Sequence, residues 1–290
     1  MTVVVFGNNY RKETLEQVEI LFRLLQEYRI SVGIETIFYN FLCNDLNFKP
    51  CVDFFVSDDN FDADLALSIG GDGTFLKTAS HVGNKNIPIL GINTGRLGFL
   101  ADISGEEIVA AFDDILNNRY RIEERTILQV KTSDSNEIFG YALNEVAVLK
   151  QDTSSMITVH TKLNEEFLTD FQSDGLIVST PTGSTAYSMS VGGPLVLPQS
   201  KNFILAAVAP HSLNIRPLVI PDDFKIELEV KSRLGCYLIS LDGRSAVLNQ
   251  STKIFVQKSD FTLKLLKREN YTYYNTLRNK LMWGVDKRTI

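Results

Sequence analysis

Apolar positions fall into two regimes along the chain. Up to about residue 100, short unbroken apolar runs alternate with segments whose apolar residues recur at helical spacing. TVVVFG reads as a buried strand, and in KETLEQVEILFRLLQEYRI the positions Leu15, Val18, Phe22 and Leu25 fall on one helix face. IETIFYN, VDFFVS and LALSIG read as further strands and FLKTASHV as a helix, while IPILGINT is one more strand ending in a glycine turn. This alternation predicts a mostly parallel sheet covered on both faces. The pattern then changes near residue 101. SGEEIVAAFDDILNN predicts one further helix. Strand-like pieces with turn residues between them follow: RTILQVKTS, EIFGYALNEVAVLK, SSMITVHTKL, EEFLTDFQ, GLIVST, FKIELEVKS, CYLISLDG, KIFVQKS and FTLKLLK. Regular short strands of this kind predict an all-β second domain, and YTYYNTLRNKLMWG returns to helix.

With 290 residues, 44% of them apolar and 22% charged, the chain can bury one large core or two ordinary ones. A net charge of −6 and a pI near 5.2 argue against a nucleic-acid groove, yet allow one anionic small molecule to bind locally. Cys43, Cys51, Cys236, His81, His160 and His211 are scattered without metal-like spacing, so no zinc pattern assembles and no metal ligand is assigned. Reduced cysteines in the cytoplasm are expected. MTVVVFGNNYRKE lacks a basic n-region and is too short in its apolar stretch for a signal peptide. No window approaches the roughly 20 apolar residues of a membrane span. The expectation is a soluble, cytoplasmic protein with no membrane or nucleic-acid partner.

Known nucleotide signatures mostly fail. Neither G-x-G-x-x-G after the first strand nor G-x-x-x-x-G-K-[ST] occurs, which disfavours a dinucleotide dehydrogenase and a P-loop enzyme. What stands between LALSI and the next helix is Gly70-Gly71-Asp72-Gly73-Thr74. A glycine turn opening a helix favours anions through its bare amides. An ionised Asp72 about 4 Å from a phosphate charge would be repelled by roughly 4 kcal/mol at an effective dielectric near 20. The turn is therefore no simple anion cup. Either Asp72 is a structural cap, or it accepts a proton from an attacking hydroxyl, or it faces a hard cation while the glycines face phosphate. Gly70, Gly71, Gly73 and Thr74 form the candidate phosphate loop, with Thr74 as the expected cap of a helix starting at Phe75.

Downstream, DGLIVSTPTGSTAYSMSVGGP packs hydroxyls among glycines after an apolar strand. So many hydroxyls with so little charge suit a polyhydroxylated ligand, and Tyr187 offers a flat face to a ring. In LNEVAV, Asn144-Glu145 interrupts an apolar run: an edge position, or an amide and a carboxylate aimed at vicinal ribose hydroxyls. His211 in APHSLN reads as structural, as do Leu281 and Trp283 on the last helix.

Together SIGGDGTFL, ILGINTGRLGFL, LNEVAV, DGLIVSTPTGSTAYSMSVGGPLV, APHSLNIRPLVI and NTLRNKLMWG resemble the bacterial type of the NAD kinase family, whose members phosphorylate NAD to NADP. The resemblance runs from about residue 65 to the end. It implies a Rossmann-like α/β domain over 1–110 and a β-sandwich-like, NAD-binding domain over 111–267, with a last helix, 268–290, packing back on the first. It implies NAD between the two domains, ATP as phosphoryl donor, a divalent cation such as Mg²⁺, and a homodimer or homotetramer. By the same resemblance, Asp72 is the proton acceptor, and Gly73 and Lys77 contact the dinucleotide. Asn144 and Glu145 hold ribose. Asp174, Thr185, Ala186, Tyr187, Ser188, Met189, Ser190 and Ala209 lie on the nicotinamide side. Gln172 stands where many relatives carry Arg, and Arg244, after Asp242-Gly243, lies in a variable stretch, which leaves phosphate-side contacts open. Two rivals remain. Diacylglycerol and sphingosine kinases share G-G-D-G-T but follow it with a Gly-Thr-Gly-Asn-Asp stretch, where this chain has Gly91-Ile92-Asn93-Thr94-Gly95. A non-catalytic NAD-binding module would have no use for an intact Asp72.

Overall fold

The computed structural model describes residues 1–9, 15–95, 98–135, 137–151 and 155–284. The chain divides into two compact units, 1–124 with 263–290, and 125–262.

The first unit opens with β1 (Thr2–Gly7), α1 (Leu15–Glu27), β2 (Ser31–Glu35), α2 (Thr36–Asp45) and β3 (Phe54–Val56). It continues through β4 (Leu65–Ile69), α3 (Asp72–Val82), β5 (Ile89–Asn93), β6 (Ile103–Ser104) and α4 (Ile108–Leu116). The strands β3-β2-β1-β4-β5-β6 pair in parallel, so the predicted parallel sheet is present. β1, β4 and β5 are mostly apolar because both their faces are covered, and Val3, Val5, Leu67 and Leu90 are fully buried. IETIFYN is not the strand its residues predict: the strand stops at Glu35 and Thr36 opens a helix. Phe38 and Leu42, at helical spacing, are buried to about 1% exposure or less. Burying two such side chains is worth about 1.5–3 kcal/mol each, against a strand propensity scale that spans only about 1 kcal/mol.

β7 (Tyr120–Thr132) carries the chain into the second unit. There follow β8 (Ile138–Ala142), β9 (Glu145–Leu149), β10 (Ile157–Leu163), β11 (Glu166–Ser173), β12 (Gly175–Ser179) and the short α5 (Tyr187–Ser190). Then come β13 (Asn202–Val208), β14 (Leu218–Pro221), β15 (Ile226–Lys231), β16 (Cys236–Leu241), β17 (Arg244–Asn249) and β18 (Ile254–Arg268). One antiparallel sheet runs β14-β13-β12-β9-β16-β17, and β11-β10-β15-β18 with the β7–β8 hairpin supplies the facing strands. Their inward residues make one core, among them Val146, Val178, Leu205 and Tyr237 on one side and Val159, Leu228 and Val256 on the other. Alternation in IELEVK, buried at Ile226, Leu228 and Val230, is the expected sandwich signature. KIFVQKS and FTLKLLK form one strand, not two.

β18 returns the chain to the first unit, where Leu265 pairs in parallel with Ile89 of β5. The last helix, α6 (Tyr273–Leu281), is shorter than the expected 268–290, of which 285–290 lie outside the described residues. Thr272 caps it, its hydroxyl accepting from the Asn275 N–H at 3.3 Å.

Candidate active site

The glycine turn follows β4. Gly70 takes φ +152°, and a Cβ there would run into the Thr74 side chain, so only glycine fits. α3 begins at Asp72, with Gly71 as its N-cap and no side-chain cap, rather than at Phe75 behind Thr74. The N–H groups of Thr74 and Phe75 both bond the Gly71 carbonyl, at 3.0 and 3.1 Å. Amides at the start of a helix have no intrahelical acceptor, and they favour an anion.

This turn has two sides. Gly71, Gly73, Thr74 and Lys77, with Gly7, Asn8 and Asn9, line a cleft of about 330 Å³. The Asp72 carboxylate is not part of that lining. Its Oδ2 accepts from the Phe99 N–H at 2.9 Å, and its Oδ1 from the N–H groups of Leu100 and Ala101 at 3.0 and 3.2 Å. Lys280 of α6 places its ammonium 3.2 Å from Oδ2. Burial pushes the Asp72 pKa up. The Phe99 N–H, the Lys280 charge and the Leu100 and Ala101 N–H groups outweigh it, and the carboxyl titrates below its ordinary value. The repulsion that the sequence raises is thus avoided by direction: the charge faces the loop at 99–101, while Gly71, Gly73 and Thr74 line the cleft. Gly98 permits this approach, since a Cβ there would collide with Asp72 Oδ1.

Lys77 lines the cleft with its ammonium 2.6 Å from Oε1 of Glu35, a carboxylate only 5% exposed at the end of β2. His81, one turn on, bridges outward, with Nδ1 2.6 Å from Asp59 Oδ1. Among the described residues no group of three or more His, Cys, Asp or Glu could hold a metal ion, and both Asp72 oxygens are already occupied by donors.

In the second unit, Asn144 and Glu145 lie where the predicted strand EIFGYALNEVAVLK breaks into β8 and β9. Asp242 causes the break. Its carboxylate takes the N–H groups of Leu143, Asn144 and Glu145 at 2.6, 2.8 and 3.1 Å, so those amides cannot join a ladder. The Asn144 carbonyl accepts from the Thr180 N–H at 2.9 Å and the Ser179 hydroxyl at 3.2 Å. Glu145 is pushed up to about 7, first by burial and then by the Asp242 charge, while the Tyr187 N–H donating to it works against both. Burial also raises Asp242, more than its three N–H donors and Arg244 lower it.

The hydroxyl-rich stretch divides in two. Thr180 bonds the Leu143 carbonyl at 2.6 Å, and Ser184 is tied to Val196, so Ser179, Thr180 and Ser184 hold the turn itself. Thr185, Ala186 and Met189 are half-buried, Tyr187 and Ser190 are exposed, and Ser188 is enclosed completely. Asp174 pairs with Lys150 at 2.7 Å. Ala209 is exposed at φ +44°, and the Gln172 carbonyl accepts from the His211 N–H. Arg244 bonds the Leu241 and Tyr141 carbonyls. The structure thus gathers Gly70 to Lys77 in one unit and Asn144, Glu145 and Tyr187 in the other. Glu35, Asp242 and Lys280 gain contacts that the sequence reading does not assign. Helical spacing in NTLRNKLMWG could have flagged Lys280, whereas the amides of 99–101 leave no mark in a sequence.

Residues 3–120 match the family model for the ATP-NAD kinase N-terminal domain, and residues 143–268 that for the C-terminal domain. An NAD kinase of Bacteroides fragilis is 48% identical over 99% of this chain and 100% of its own length. One from Cytophaga hutchinsonii is 44% identical, again over 99% and 100%. Among solved structures, an NAD kinase from Archaeoglobus fulgidus in complex with ATP has a TM-score of 0.74 at 27% identity, over 97% of this chain and 99% of that one. A yeast NADH kinase complexed with NADH shares the fold, with a TM-score of 0.89 at 24% identity over 100% and 90%.

Proposed function

The chain belongs to the NAD kinase family, and on that premise we propose that it transfers the γ-phosphate of ATP to the 2′-hydroxyl of the adenosine ribose of NAD. The bond from the 2′-oxygen to the γ-phosphorus forms as the bond to the β–γ bridging oxygen breaks. ADP keeps that electron pair, and the hydroxyl proton passes to Asp72. Mg²⁺ enters with ATP as the metal–nucleotide substrate. One observation carries the reading: the turn that opens α3 presents the Gly71 and Gly73 side, with Lys77, to a cleft, and keeps an ionised Asp72 apart from it. Phosphoryl transfer needs that division, because donor oxygens call for amides and cations while the acceptor hydroxyl calls for a base.

In the second unit the reading gives Asn144 and Glu145 the ribose hydroxyls. Asp174, the segment from Thr185 to Ser190 and Ala209 take the nicotinamide end, with Ser188 contributing through its backbone because its side chain is enclosed. The two compact units serve as the domains. A cytoplasmic homodimer or homotetramer accords with the same premise, and sedimentation of the purified chain distinguishes it from a monomer. The lipid-kinase alternative is not favoured, since similarity along the whole chain is to NAD kinases.

The test is NADP formation from NAD, ATP and Mg²⁺ by the wild type and by Asp72→Asn. A general base contributes about 10²- to 10⁴-fold, so the variant should bind NAD and lose turnover on that order. Turnover at the wild-type rate would remove Asp72 from the chemistry.

A further inference from the structure

The C-terminal motif NTLRNKLMWG has no part in the reaction as described so far. Thr276 and Leu277 are the buried residues of α6, and Tyr273 and Lys280 stand on the same stripe at spacings of three and four. Lys280 is thereby aimed at the body of its unit. Its ammonium lies 4.5 Å above the Phe99 ring and 3.2 Å from Asp72 Oδ2, while the Phe99 N–H donates to that same oxygen. Phe99 in turn packs against Tyr273, with ring centroids 6.3 Å apart.

An ionised carboxylate offers about four lone-pair positions. On Asp72 two are taken at Oδ1 by the Leu100 and Ala101 amides, and two at Oδ2 by the Phe99 amide and the Lys280 ammonium. A ribose hydroxyl can therefore donate to Asp72 only if one donor leaves. Three of the four are fixed backbone amides. The fourth stands at the end of a flexible side chain that is about one-third exposed. Among the described residues Lys280 is also the one charged side chain set against Asp72, the nearest basic residue of α3, Lys77, being engaged by Glu35.

We propose that Lys280 is the displaceable donor on Asp72: in the resting enzyme it caps and orients the carboxylate, and it gives up its place on Oδ2 to the 2′-hydroxyl of the bound dinucleotide. Lys280 is a positioning residue in this scheme, and the scheme rests on the NAD kinase reading. Departure of the ammonium makes Asp72 a stronger base at the moment the hydroxyl arrives, and the proton then passes to Oδ2.

The experiment measures kcat/KM for NAD against pH in a Glu145→Gln background, which removes the limb that Glu145 contributes near pH 7, for the chain otherwise unchanged, Lys280→Met, Lys280→Arg and the pair Asp72→Asn with Lys280→Met. A wild type that makes no NADP overturns the NAD kinase reading itself. Given an active wild type, loss of the neighbouring positive charge should move the acid limb of Lys280→Met to higher pH. Its kcat/KM then falls below that of the Glu145→Gln parent in acid and approaches it in alkali. Lys280→Arg should restore the parent's limb, and in the Asp72→Asn background Lys280→Met should leave the KM for NAD unmoved. An acid limb unchanged in a folded Lys280→Met enzyme overturns the proposal. So does an equal loss at every pH, which marks a helix tether only. Thermal melting of each variant verifies folding.

Discussion

At the scale of single residues, Glu145 carries the clearest consequence. Its carboxyl is pushed up to about 7, from an ordinary 4.5, by burial and the Asp242 charge. Near neutrality it is therefore divided between two forms, and the ionised form is the one that accepts hydrogen bonds from two ribose hydroxyls. Apparent affinity scales with the competent fraction. The KM for NAD should fall about tenfold as pH rises from about 6 to about 8, and Glu145→Gln should flatten that profile. A flat wild-type profile would remove Glu145 from ribose binding. The sign for stability is opposite: the folded chain keeps a proton that the unfolded chain releases, so this group's contribution declines between about pH 4.5 and 7. The residue types of this site were legible in the sequence, but their division of labour was not. Ser184 and Ser190 look alike in a string of letters, yet one is bonded to Val196 and the other faces solvent. Which hydroxyls serve a ligand depends on what packs around them.

At the scale of elements, local period identified most of the first unit because buried parallel strands and amphipathic helices differ strongly in pattern. It misled where side-chain type and burial disagree, as in IETIFYN, and where an apolar run is cut by a distant group. Nothing within EIFGYALNEVAVLK announces that Asp242, about a hundred residues on, will claim three successive amides. β13, β14 and β17 pass unmarked for a related reason: their runs sit beside Pro, Gly and polar residues and look like connecting loops. The Asp242 contact also sets an energetic expectation. Asp242→Ala strands three half-buried N–H groups, each costing about 1–3 kcal/mol when left unmade. Water reaches part of this segment, so the lower end applies and urea unfolding should show a loss of about 3 kcal/mol. Asp242→Asn keeps one acceptor oxygen and should lose less. An Asp242→Ala chain as stable as wild type would mean that the break between β8 and β9 has another cause.

For the whole molecule, the first unit is built from two stretches far apart in the chain, and something must hold the returning stretch to the opening one. Part of the answer is the pairing of Leu265 with Ile89. Another part is an ion pair: Lys267, 2% exposed, sets its ammonium 2.9 Å from Asp102 Oδ1, donates to the Leu100 carbonyl at 3.2 Å and lies 4.6 Å above the Tyr271 ring. A buried pair of this kind adds little net stability over apolar residues of equal volume, but removing one partner costs about 3–5 kcal/mol because a buried charge is left alone. Lys267→Met should lose that much in urea unfolding at neutral pH, and adding Asp102→Leu should return most of it. Burial already raises the Asp102 pKa against the pull of Lys267, and without Lys267 it must rise further. An acid whose folded pKa exceeds its unfolded one is protonated in both states at low pH, so the Lys267→Met deficit should shrink as pH falls toward 4. A deficit independent of pH would point to lost packing rather than a stranded carboxylate. The same lysine holds the Leu100 carbonyl, one residue from the Phe99 amide that bonds Asp72. A structural pair that closes the fold therefore braces the loop that aims the candidate base, and Lys267→Met should lower kcat even where the protein remains folded.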